Sequence, residues 1–248
     1  MKVLSIIIPS YNEAKTLPLI LFKIISVNLP DDILKDIVII DDCSTDETAS
    51  VVSDIIRNYP DEKIRYIKLE KNRGKGYAVR TGIQHSIGDI VIIQDADLEY
   101  EPNDYNKLII PILEGKYKVV YGSRILNKNN KFSYFSFYWG GRLISLFTRI
   151  LFGQNITDEP TCYKVFDAQL IKSIPLSSDR FGFCPEVTAK LLKLGYKIKE
   201  LPIHYYPRSK QEGKKIKWED GVEALYLLFK YRFDNNWIKQ MKQNNNEK

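Results

Sequence analysis

Four short apolar runs in the first half of the chain constrain its fold more than any other feature. They span residues 3 to 8, 36 to 40, 64 to 69 and 90 to 94, and segments with helical spacing separate them. Apolar strands that alternate with helices are typical of βαβ units, whose parallel strands are buried on both faces. We therefore predict an α/β fold with a mainly parallel central sheet.

Size and composition fit an enzyme-sized catalytic domain. The chain has 248 residues, of which 44% are hydrophobic, and its formal charge of +6 favours an anionic partner. Its three cysteines are widely separated and form no CxxC pair, which indicates a reducing compartment rather than a disulfide framework or zinc site. The amino-terminal apolar run is too short for a secretory signal. We predict one domain over residues 1 to 233 and a polar, disordered tail over residues 234 to 248.

Polar clusters follow three of the predicted strands. They are Pro9-Ser-Tyr-Asn-Glu13, Asp41-Asp-Cys-Ser-Thr-Asp46 and Gln94-Asp-Ala-Asp97. Ligands of open parallel sheets gather outside the carboxyl ends of the strands, so we expect the clusters to share one crevice. Asn12 and residues 44 to 46 suit helix caps, whereas Asp42 could accept hydrogen bonds from a base or ribose and Tyr11 could pack on a nucleotide. The basic loop over residues 71 to 77 lacks P-loop and GxGxxG spacing, and we interpret it as opening a helix near a diphosphate.

The fourth apolar run ends in the alternating carboxylates Asp95, Asp97 and Glu99. Because side chains alternate along an extended chain, all three could face one side. Oxygen ligands suit Mg2+ or Mn2+, which commonly takes one or two protein carboxylates and leaves other positions to water and substrate phosphates. The three are therefore candidate metal ligands. The alternative is a set of solvated acids that close a strand, because Asp-x-Asp is a short pattern.

Five motifs, taken in order, resemble those of family 2 glycosyltransferases. They are Pro9-x-Tyr11-Asn12-Glu13, Asp41-Asp42-x-Ser44-x-Asp46, Asn72-x-Gly74-Lys75-Gly76, Asp95-Ala96-Asp97 and Gly122-Ser123-Arg124. The resemblance spans residues 3 to 233. More narrowly, the chain resembles the dolichyl-phosphate mannosyltransferase and polyprenyl-phosphate glycosyltransferase branch of the family. It implies a GT-A (Rossmann-like) fold, a nucleotide-sugar donor of the GDP-mannose or UDP-glucose type, a divalent metal and a dolichyl or undecaprenyl phosphate acceptor.

The resemblance also implies roles for individual residues. The nucleotide would be held by Pro9, Tyr11, Glu13, Ile40 and Asp42. Asp95 and Asp97 would bind metal and diphosphate, with the Ala96 backbone nearby. Arg124 would lie close to the transferred sugar or phosphates. Arg208 and Lys214 would belong to a basic loop that closes over the phosphates of donor and acceptor. The catalytic set is then Asp97, Arg124 and Arg208.

Residues 115 to 157 contain seven basic residues and ten aromatic residues but no Asp or Glu. Basic side chains suit anionic headgroups, and aromatic rings favour the headgroup boundary. Glycines 140 and 141 and two arginines argue against a bilayer span, so we predict an amphipathic helix pair over residues 132 to 153 on a membrane surface. A buried core or dimer face is the alternative. Nucleic acid is not an expected partner, because no RRM, KH or zinc motif accompanies this segment.

A lipid-phosphate acceptor would need little general-base help, since the second pKa of a phosphate monoester is about 6. This fits a chain whose only histidines, His85 and His204, we interpret as structural. Stabilising the leaving diphosphate becomes the main requirement, and inversion at the anomeric carbon is expected. We expect the enzyme to act peripherally at the cytoplasmic face of a membrane. A membrane-protein partner or homo-oligomer could assist attachment.

Other interpretations remain open on the sequence alone. Asp158 or Glu159 lies where many relatives that glycosylate hydroxyls carry a catalytic carboxylate, so the acceptor could be a hydroxyl of a glycan or glycolipid. Glu186 could serve the site or favour a helix amino terminus. The helix expected from Trp218 to Phe233 could pack on the domain or the membrane. A non-catalytic membrane-binding module with the same fold is a further alternative.

Overall fold

The computed structural model describes residues 1–30, 33–132, 135–208 and 218–246. Its strands in chain order are β1 (Lys2–Ser10), β2 (Ile33–Asp41), β3 (Ile64–Lys68), β4 (Ile90–Ile93), β5 (Val119–Ser123), β6 (Lys164–Asp167) and β7 (Ile198–Pro202). They form one sheet in the order β3-β2-β1-β4-β6-β5-β7. The four predicted apolar runs lie on β1 to β4, and the predicted α/β architecture is confirmed.

Strand β6 is antiparallel to its neighbours β4 and β5, and the other paired strands are parallel. The carboxyl ends of the six remaining strands therefore lie along one edge of the sheet, together with the amino end of β6. This carboxyl edge is where ligands of open α/β sheets bind.

Helices cover both faces of the sheet. They are α1 (Leu17–Ser26), α2 (Thr48–Asn58), α3 (Lys75–His85), α4 (Tyr105–Leu113), α5 (Phe135–Phe152), α6 (Ala168–Ser173), α7 (Phe183–Lys193), α8 (Trp218–Phe233) and α9 (Asn236–Asn246), with a 3-10 turn at Pro102–Asp104. Ile6 of β1 packs in the core that includes α1 and α4, whereas the adjacent Ile7 packs in the core that includes α3, α6 and α7. Because both faces of β1 are covered, the consecutive residues Ile6, Ile7 and Ile8 are all apolar and buried.

The segment predicted as an amphipathic helix pair forms one helix, α5. A glycine costs only about 1 kcal/mol inside a helix. Packing offsets that cost, because Ile144, Phe147 and Leu151 of α5 join a buried cluster with α8. No helix among the described residues is both long and apolar enough to cross a bilayer.

The carboxyl-terminal segment differs from the disordered tail predicted from residue 234. The structure contains α9, whose Trp237 is buried in the cluster shared with α8. Ile238 and Met241 pack against the same cluster. These three apolar residues anchor a segment whose otherwise polar composition favoured disorder.

Candidate active site

Six segments meet along the carboxyl edge of the sheet. They are residues 11–13 after β1, 41–42 at the end of β2, 95–99 after β4, 124 after β5, 157–162 before β6 and 203–208 after β7. The sheet topology thus brings together all three polar clusters predicted to share a crevice, and it adds basic residues from β5 and β7.

Asp95 is paired with Lys75, the first residue of α3. Lys75 Nζ also lies 3.0 Å from the Sγ atom of Cys162. Burial acts to raise the pKa of Asp95, but the charge and hydrogen bond of Lys75, a hydrogen bond from Cys162 and the charge of Arg208 together outweigh it, so the net shift is downward. Asp95 is therefore held as a carboxylate by a cation that the sequence analysis had not assigned to it.

Asp97 and Glu99 share a different cation. The guanidinium of Arg208 pairs with Asp97, and the backbone N–H of Arg208 donates to Glu99 at 2.9 Å. Tyr205 OH donates to the same glutamate at 3.3 Å. Burial, followed by repulsion from Asp95 and Glu99, raises the pKa of Asp97 to about 7. Negative charge is therefore crowded around Asp97 even with Arg208 in place.

The three carboxylates do not assemble as strand alternation predicted, because β4 ends at Ile93 and residues 96 to 99 form a bend and a turn. Among the described residues, no group of three acidic, histidine or cysteine side chains is arranged to hold a metal ion. The donor set nevertheless fits a divalent ion that takes one or two carboxylates from the protein and its other ligands from substrate phosphates. Asp97 and Asp95 are the residues suited to hold it.

Asp42 ties the basic loop to the end of β2. Its carboxylate accepts the backbone N–H groups of Arg73 at 2.8 Å and Gly74 at 2.6 Å. Burial raises the pKa of Asp42 despite these bonds. Gly74 has φ +102, and a Cβ there would lie 2.7 Å from the carbonyl oxygen of Asp179, so only glycine fits. Asp42 thus shapes the loop at the edge where the nucleotide was predicted to bind.

The basic loop opens a helix as predicted, but its backbone N–H groups bind protein. Gly76 N–H donates to the Arg180 carbonyl at 3.0 Å, and Tyr77 N–H donates to the Asp179 carbonyl at 2.9 Å. With the two preceding N–H groups bound to Asp42, this end of α3 does not form a phosphate cradle. The Lys75 side chain, which reaches Asp95, is the part of the loop that points to the acidic cluster.

The first two polar clusters bind each other. Asn12 N–H donates to Ser44 Oγ at 2.9 Å, and Thr45 N–H donates to Asn12 Oδ1 at 2.8 Å. Asn12 therefore bridges two loops instead of capping α1. The N-cap position of α2 is Glu47, and Asp46, one residue earlier, accepts the N–H of Thr48 at 3.1 Å. This bridge explains why the first two clusters act as one surface.

The other residues predicted to hold the nucleotide lie next to this bridge. Pro9 and Ile40 are buried partners in the β1–β2 register. Glu13 accepts a hydrogen bond from the Thr16 hydroxyl at 2.6 Å, just before α1. Tyr11 follows the end of β1 and is partly exposed. The structure thus groups these residues at one edge, and their contacts with a nucleotide stay a prediction.

Arg124 is bound by Asp158 in a fork. Nε and Nη2 of the guanidinium donate to the two carboxylate oxygens at 2.8 and 2.7 Å, and the Arg124 backbone N–H donates at 2.8 Å. The Arg124 guanidinium also lies 5.2 Å from the Tyr205 ring centroid. Asp158 therefore positions an arginine, a role that its place in the sequence did not reveal.

Of the three remaining candidate residues, two are buried carboxylates and one lies outside the described part of the chain. Glu159 is fully buried, and burial raises the pKa of its carboxyl group. Glu186 accepts hydrogen bonds from Ser177 and Ser178 and pairs with Lys190 at 2.6 Å, so it supports a loop. Lys214 lies outside the described residues, which resume at 218 after Arg208.

The chain can now be compared with known proteins. The model of the family described as glycosyl transferase family 2 matches residues 5–174. The chain belongs to glycosyltransferase family 2. Over 247 residues it is 31% identical to a dolichyl-phosphate beta-glucosyltransferase of Dictyostelium discoideum, covering 93% of this chain and 74% of that relative. It is also 31% identical over 218 residues to a UDP-N-acetylglucosamine–dolichyl-phosphate N-acetylglucosaminyltransferase of Methanococcus voltae, covering 82% and 85%.

A solved structure supports the same assignment at the level of fold. Glucosyl-3-phosphoglycerate synthase from Mycobacterium tuberculosis, crystallised with Mn2+, UDP and phosphoglyceric acid, is similar with a TM-score of 0.69. The match has 17% sequence identity and covers 94% of this chain and 79% of that one. The predicted GT-A fold is confirmed, as is the predicted resemblance to the polyprenyl-phosphate branch of family 2.

For this family 2 glycosyltransferase, the sequence alone did not reveal the contacts that hold the predicted residues in place. Lys75 and Asp158 each bind a predicted site residue directly, and Glu200 binds the backbone beside Asp158. Lys75 carried a signal, because it lies in the motif Asn72-x-Gly74-Lys75-Gly76 that resembles family 2. Glu200 carried none, because its role depends on a strand pairing between distant parts of the chain.

Proposed function

We propose that this enzyme transfers a sugar from a nucleotide-diphosphate donor to a polyprenyl phosphate, with inversion at the anomeric carbon. The observation that carries the proposal is the Arg124–Asp158 fork. A hydroxyl acceptor calls for a general base, whereas Asp158 is 3% exposed and accepts three hydrogen bonds from Arg124, which engage it as the partner of that arginine. A phosphate acceptor is already ionised and needs no base. The dolichyl-phosphate enzymes among the relatives support the same acceptor class.

The residues at the carboxyl edge would have different roles in metal and phosphate binding. Asp97, with Asp95, would hold Mg2+ or Mn2+, which when bound neutralises charge that develops on the leaving diphosphate. Lys75 and Arg208 already balance these carboxylates and would turn toward phosphate oxygens as the donor binds. Arg124 keeps Nη1 without a hydrogen-bond partner among the described residues. Nη1 would align the attacking phosphate.

Helix α5 supports a membrane-bound acceptor. Trp139, Leu143, Leu146 and Ile150 recur at helical spacing and are 50 to 70% exposed. The helix also carries Arg142 and Arg149 and no acidic residue. An apolar stripe with basic neighbours suits an anionic lipid surface.

Helix α8 presents a second stripe. Its exposed members are Trp218, Val222, Tyr226, Phe229 and Phe233. The opposite face of α8 packs with α5 in one buried cluster, and Arg232 Nε of α8 donates to the Leu151 carbonyl of α5 at 2.8 Å. The two stripes therefore belong to adjoining helices. We infer that both rest on the cytoplasmic face of a membrane, a side consistent with the three free cysteines.

The test of the reaction is transfer of labelled sugar into an organic-extractable lipid. Purified enzyme would receive Mg2+ or Mn2+, vesicles containing polyprenyl phosphate, and a panel of GDP- and UDP-sugars. We expect one donor to yield a metal-dependent lipid product of inverted configuration. A product with retained configuration contradicts the mechanism. Transfer only to a glycan or glycolipid hydroxyl instead supports the hydroxyl-directed alternative, with Glu159 as the residue to examine.

The membrane surface has a separate test. Leu143→Glu places a charge in the α5 stripe, and we expect partitioning onto anionic vesicles to fall at least about tenfold. Ile87→Glu is the matched control, since Ile87 is 53% and Leu143 56% exposed, but Ile87 lies at the opposite edge of the sheet. Equal loss in both variants, or no loss in either, contradicts the assigned surface. Vesicle binding without nucleotide or metal binding would favour a non-catalytic module.

A further inference from the structure

Glu200 lies on β7, a strand none of whose residues was predicted to serve the site. Its carboxylate accepts two consecutive backbone N–H groups, from Thr157 at 2.7 Å and from Asp158 at 2.9 Å. A carboxylate bound in this way fixes both the position and the direction of the peptide that links the two residues. Glu200 therefore fixes the backbone position from which the Asp158 side chain extends.

The same segment is tied from other sides. Thr157 Oγ1 lies 2.7 Å from the hydroxyl of Ser123, which immediately precedes Arg124. Ser145 of α5 accepts the Glu159 N–H at 2.9 Å. These contacts place residues 157 to 159 against the end of β5. Arg142 Nη1 also donates to the Thr157 carbonyl at 3.4 Å, and Glu200 is the carboxylate that holds this segment.

From Glu200 the contacts continue to the site. Asp158 receives the three hydrogen bonds from Arg124. With Nε and Nη2 fixed, Nη1 of Arg124 has one direction in which to point. A bidentate arginine pair loses its geometry when its carboxylate shifts by a fraction of a hydrogen-bond length.

We propose that Glu200 is a positioning residue for sugar transfer, acting through Asp158 to aim Arg124 at substrate phosphate. This inference rests on the proposed function only for the identity of the substrate that Arg124 meets. Glu200 touches no substrate itself. Its role is distinct from that of a general strand-stabilising residue, because its influence on turnover passes through one side chain.

A double-mutant cycle tests this dependence. Glu200→Gln keeps the volume but replaces one acceptor oxygen with an NH2 group that cannot receive a backbone N–H. We expect kcat/KM for sugar transfer to fall about 10- to 100-fold in the parent enzyme, with an unchanged Kd for the nucleoside diphosphate. In an Arg124→Lys background, Glu200→Gln should cause no further loss. Equal losses in both backgrounds would overturn the proposal.

The matched control uses a second buried Asp–Arg fork, Asp36 with Arg65. Asp36→Asn should lower Tm, and any activity loss should be additive with Arg124→Lys. If Glu200→Gln does not fold, Glu200→Asp, which is shorter by one methylene and reaches only one N–H, replaces it in the cycle. A Glu200 variant that behaves like Asp36→Asn shows a merely structural role.

One measurement is independent of the acceptor and donor. The Nε–H resonance of Arg124, identified by its loss in Arg124→Lys, reports the fork to Asp158 in the free enzyme. Glu200→Gln should shift this resonance and speed its exchange with water, while Asp36→Asn should leave it unchanged. An unaltered Arg124 resonance in Glu200→Gln contradicts the proposal even if lipid transfer is confirmed. An altered resonance together with absent lipid transfer contradicts only the proposed function.

Discussion

Two Asp–Arg forks lie at opposite edges of the sheet, and they differ in whether the Nη1 atom of the arginine has a partner. Asp36 and Arg65 lie toward the amino ends of the parallel strands, where Arg65 Nε and Nη2 donate to Asp36 at 2.9 and 2.7 Å. Arg65 Nη1 donates to the His85 carbonyl at 2.7 Å. Arg124 makes the same fork with Asp158 at the carboxyl edge, but its Nη1 has no partner in the described part of the chain.

The comparison shows that a buried ion pair is not in itself a functional signal. Asp36 also accepts the Ser5 hydroxyl at 2.6 Å, so the amino-side fork joins β1, β2 and β3 and is complete. The carboxyl-edge fork leaves Arg124 Nη1 without a partner among the described residues, and it lies at the end of the sheet where ligands of α/β folds bind. A substrate phosphate would accept a hydrogen bond from Arg124 Nη1 and so complete the set of guanidinium contacts.

The largest expected effect is the loss of activity when Asp97, a carboxylate at the carboxyl edge, is replaced. Asp97→Asn should reduce the rate of sugar transfer about 1,000-fold or more, because it removes the charge best placed to hold a divalent ion. Its Tm should not fall, since burial and the neighbouring carboxylates already raise the pKa of Asp97 to about 7. Initial rates and Mn2+ binding followed by electron paramagnetic resonance would check this. A variant with full Mn2+ affinity removes Asp97 from the metal site.

The next effect compares the arginines directly. Arg124→Lys should lower kcat/KM on the order of 100-fold, because a lysine cannot hold Asp158 in a fork and still offer a directed donor. Arg65→Lys should lower Tm while kcat stays unchanged. Steady-state kinetics and thermal unfolding of the two variants give the answer. If both variants lose activity to the same degree, the distinction between the two sides of the sheet is wrong.

A smaller effect concerns stability alone. Asp36→Asn should lower the free energy of unfolding by about 2 to 3 kcal/mol, because it leaves Arg65 without its anionic partner. Asp54→Asn is the control, since its i,i+3 pair with Arg57 is exposed and should matter by less than about 0.5 kcal/mol. Urea unfolding measures both. Similar losses in the free energy of unfolding would mean that the buried Asp36–Arg65 pair stabilises the fold no more than an exposed pair does.

The sequence predicted the fold because its strongest signal was local. The apolar runs of β1 to β4 and the breaks between them appear within short windows, and topology rules then supply the parallel sheet. The strand ends were less predictable. Alternation suggested three carboxylates on one side after β4, but the chain turns after Ile93, and Lys75 and Arg208 bind the carboxylates instead.

The supporting residues of the site could not be predicted, because they depend on pairings between distant segments. Asp158 meets Arg124 across 34 positions, and Glu200 meets Asp158 across 42. The antiparallel pairing of β6 with β5 brings Asp158 to Arg124, and the pairing of β7 with β5 brings Glu200 to the same end of the sheet. No short sequence pattern indicates either pairing. The resemblance to family 2 pointed to Arg124 and to Asp158 individually, but it gave no indication of the fork between them or of Glu200.

The smallest expected effect tests a carboxylate that lies near the active edge without serving it. Glu186 is fully buried, pairs with Lys190 at 2.6 Å and accepts the N–H groups of Ser177 and Ser178 at 2.9 and 2.7 Å. Burial acts to raise its pKa, but Lys190 and the hydrogen bonds from Ser178 outweigh it, so the net shift is downward. A carboxyl group with a depressed pKa in the folded state stabilises the protein above its ordinary pKa. That stability is lost as pH falls through the folded value.

Glu186→Gln should therefore be less stable than the parent enzyme at pH 7, and the difference in the free energy of unfolding should shrink as pH falls below about 4.5. Urea unfolding between pH 7 and the acid limit of reversibility measures the difference. A gap that stays constant or widens toward acid contradicts the assigned sign. Turnover per folded molecule at pH 7 should be unchanged, because Glu186 binds the loop behind α3 and none of the residues around Asp97. A loss of turnover comparable to that of Arg124→Lys would move Glu186 into the site.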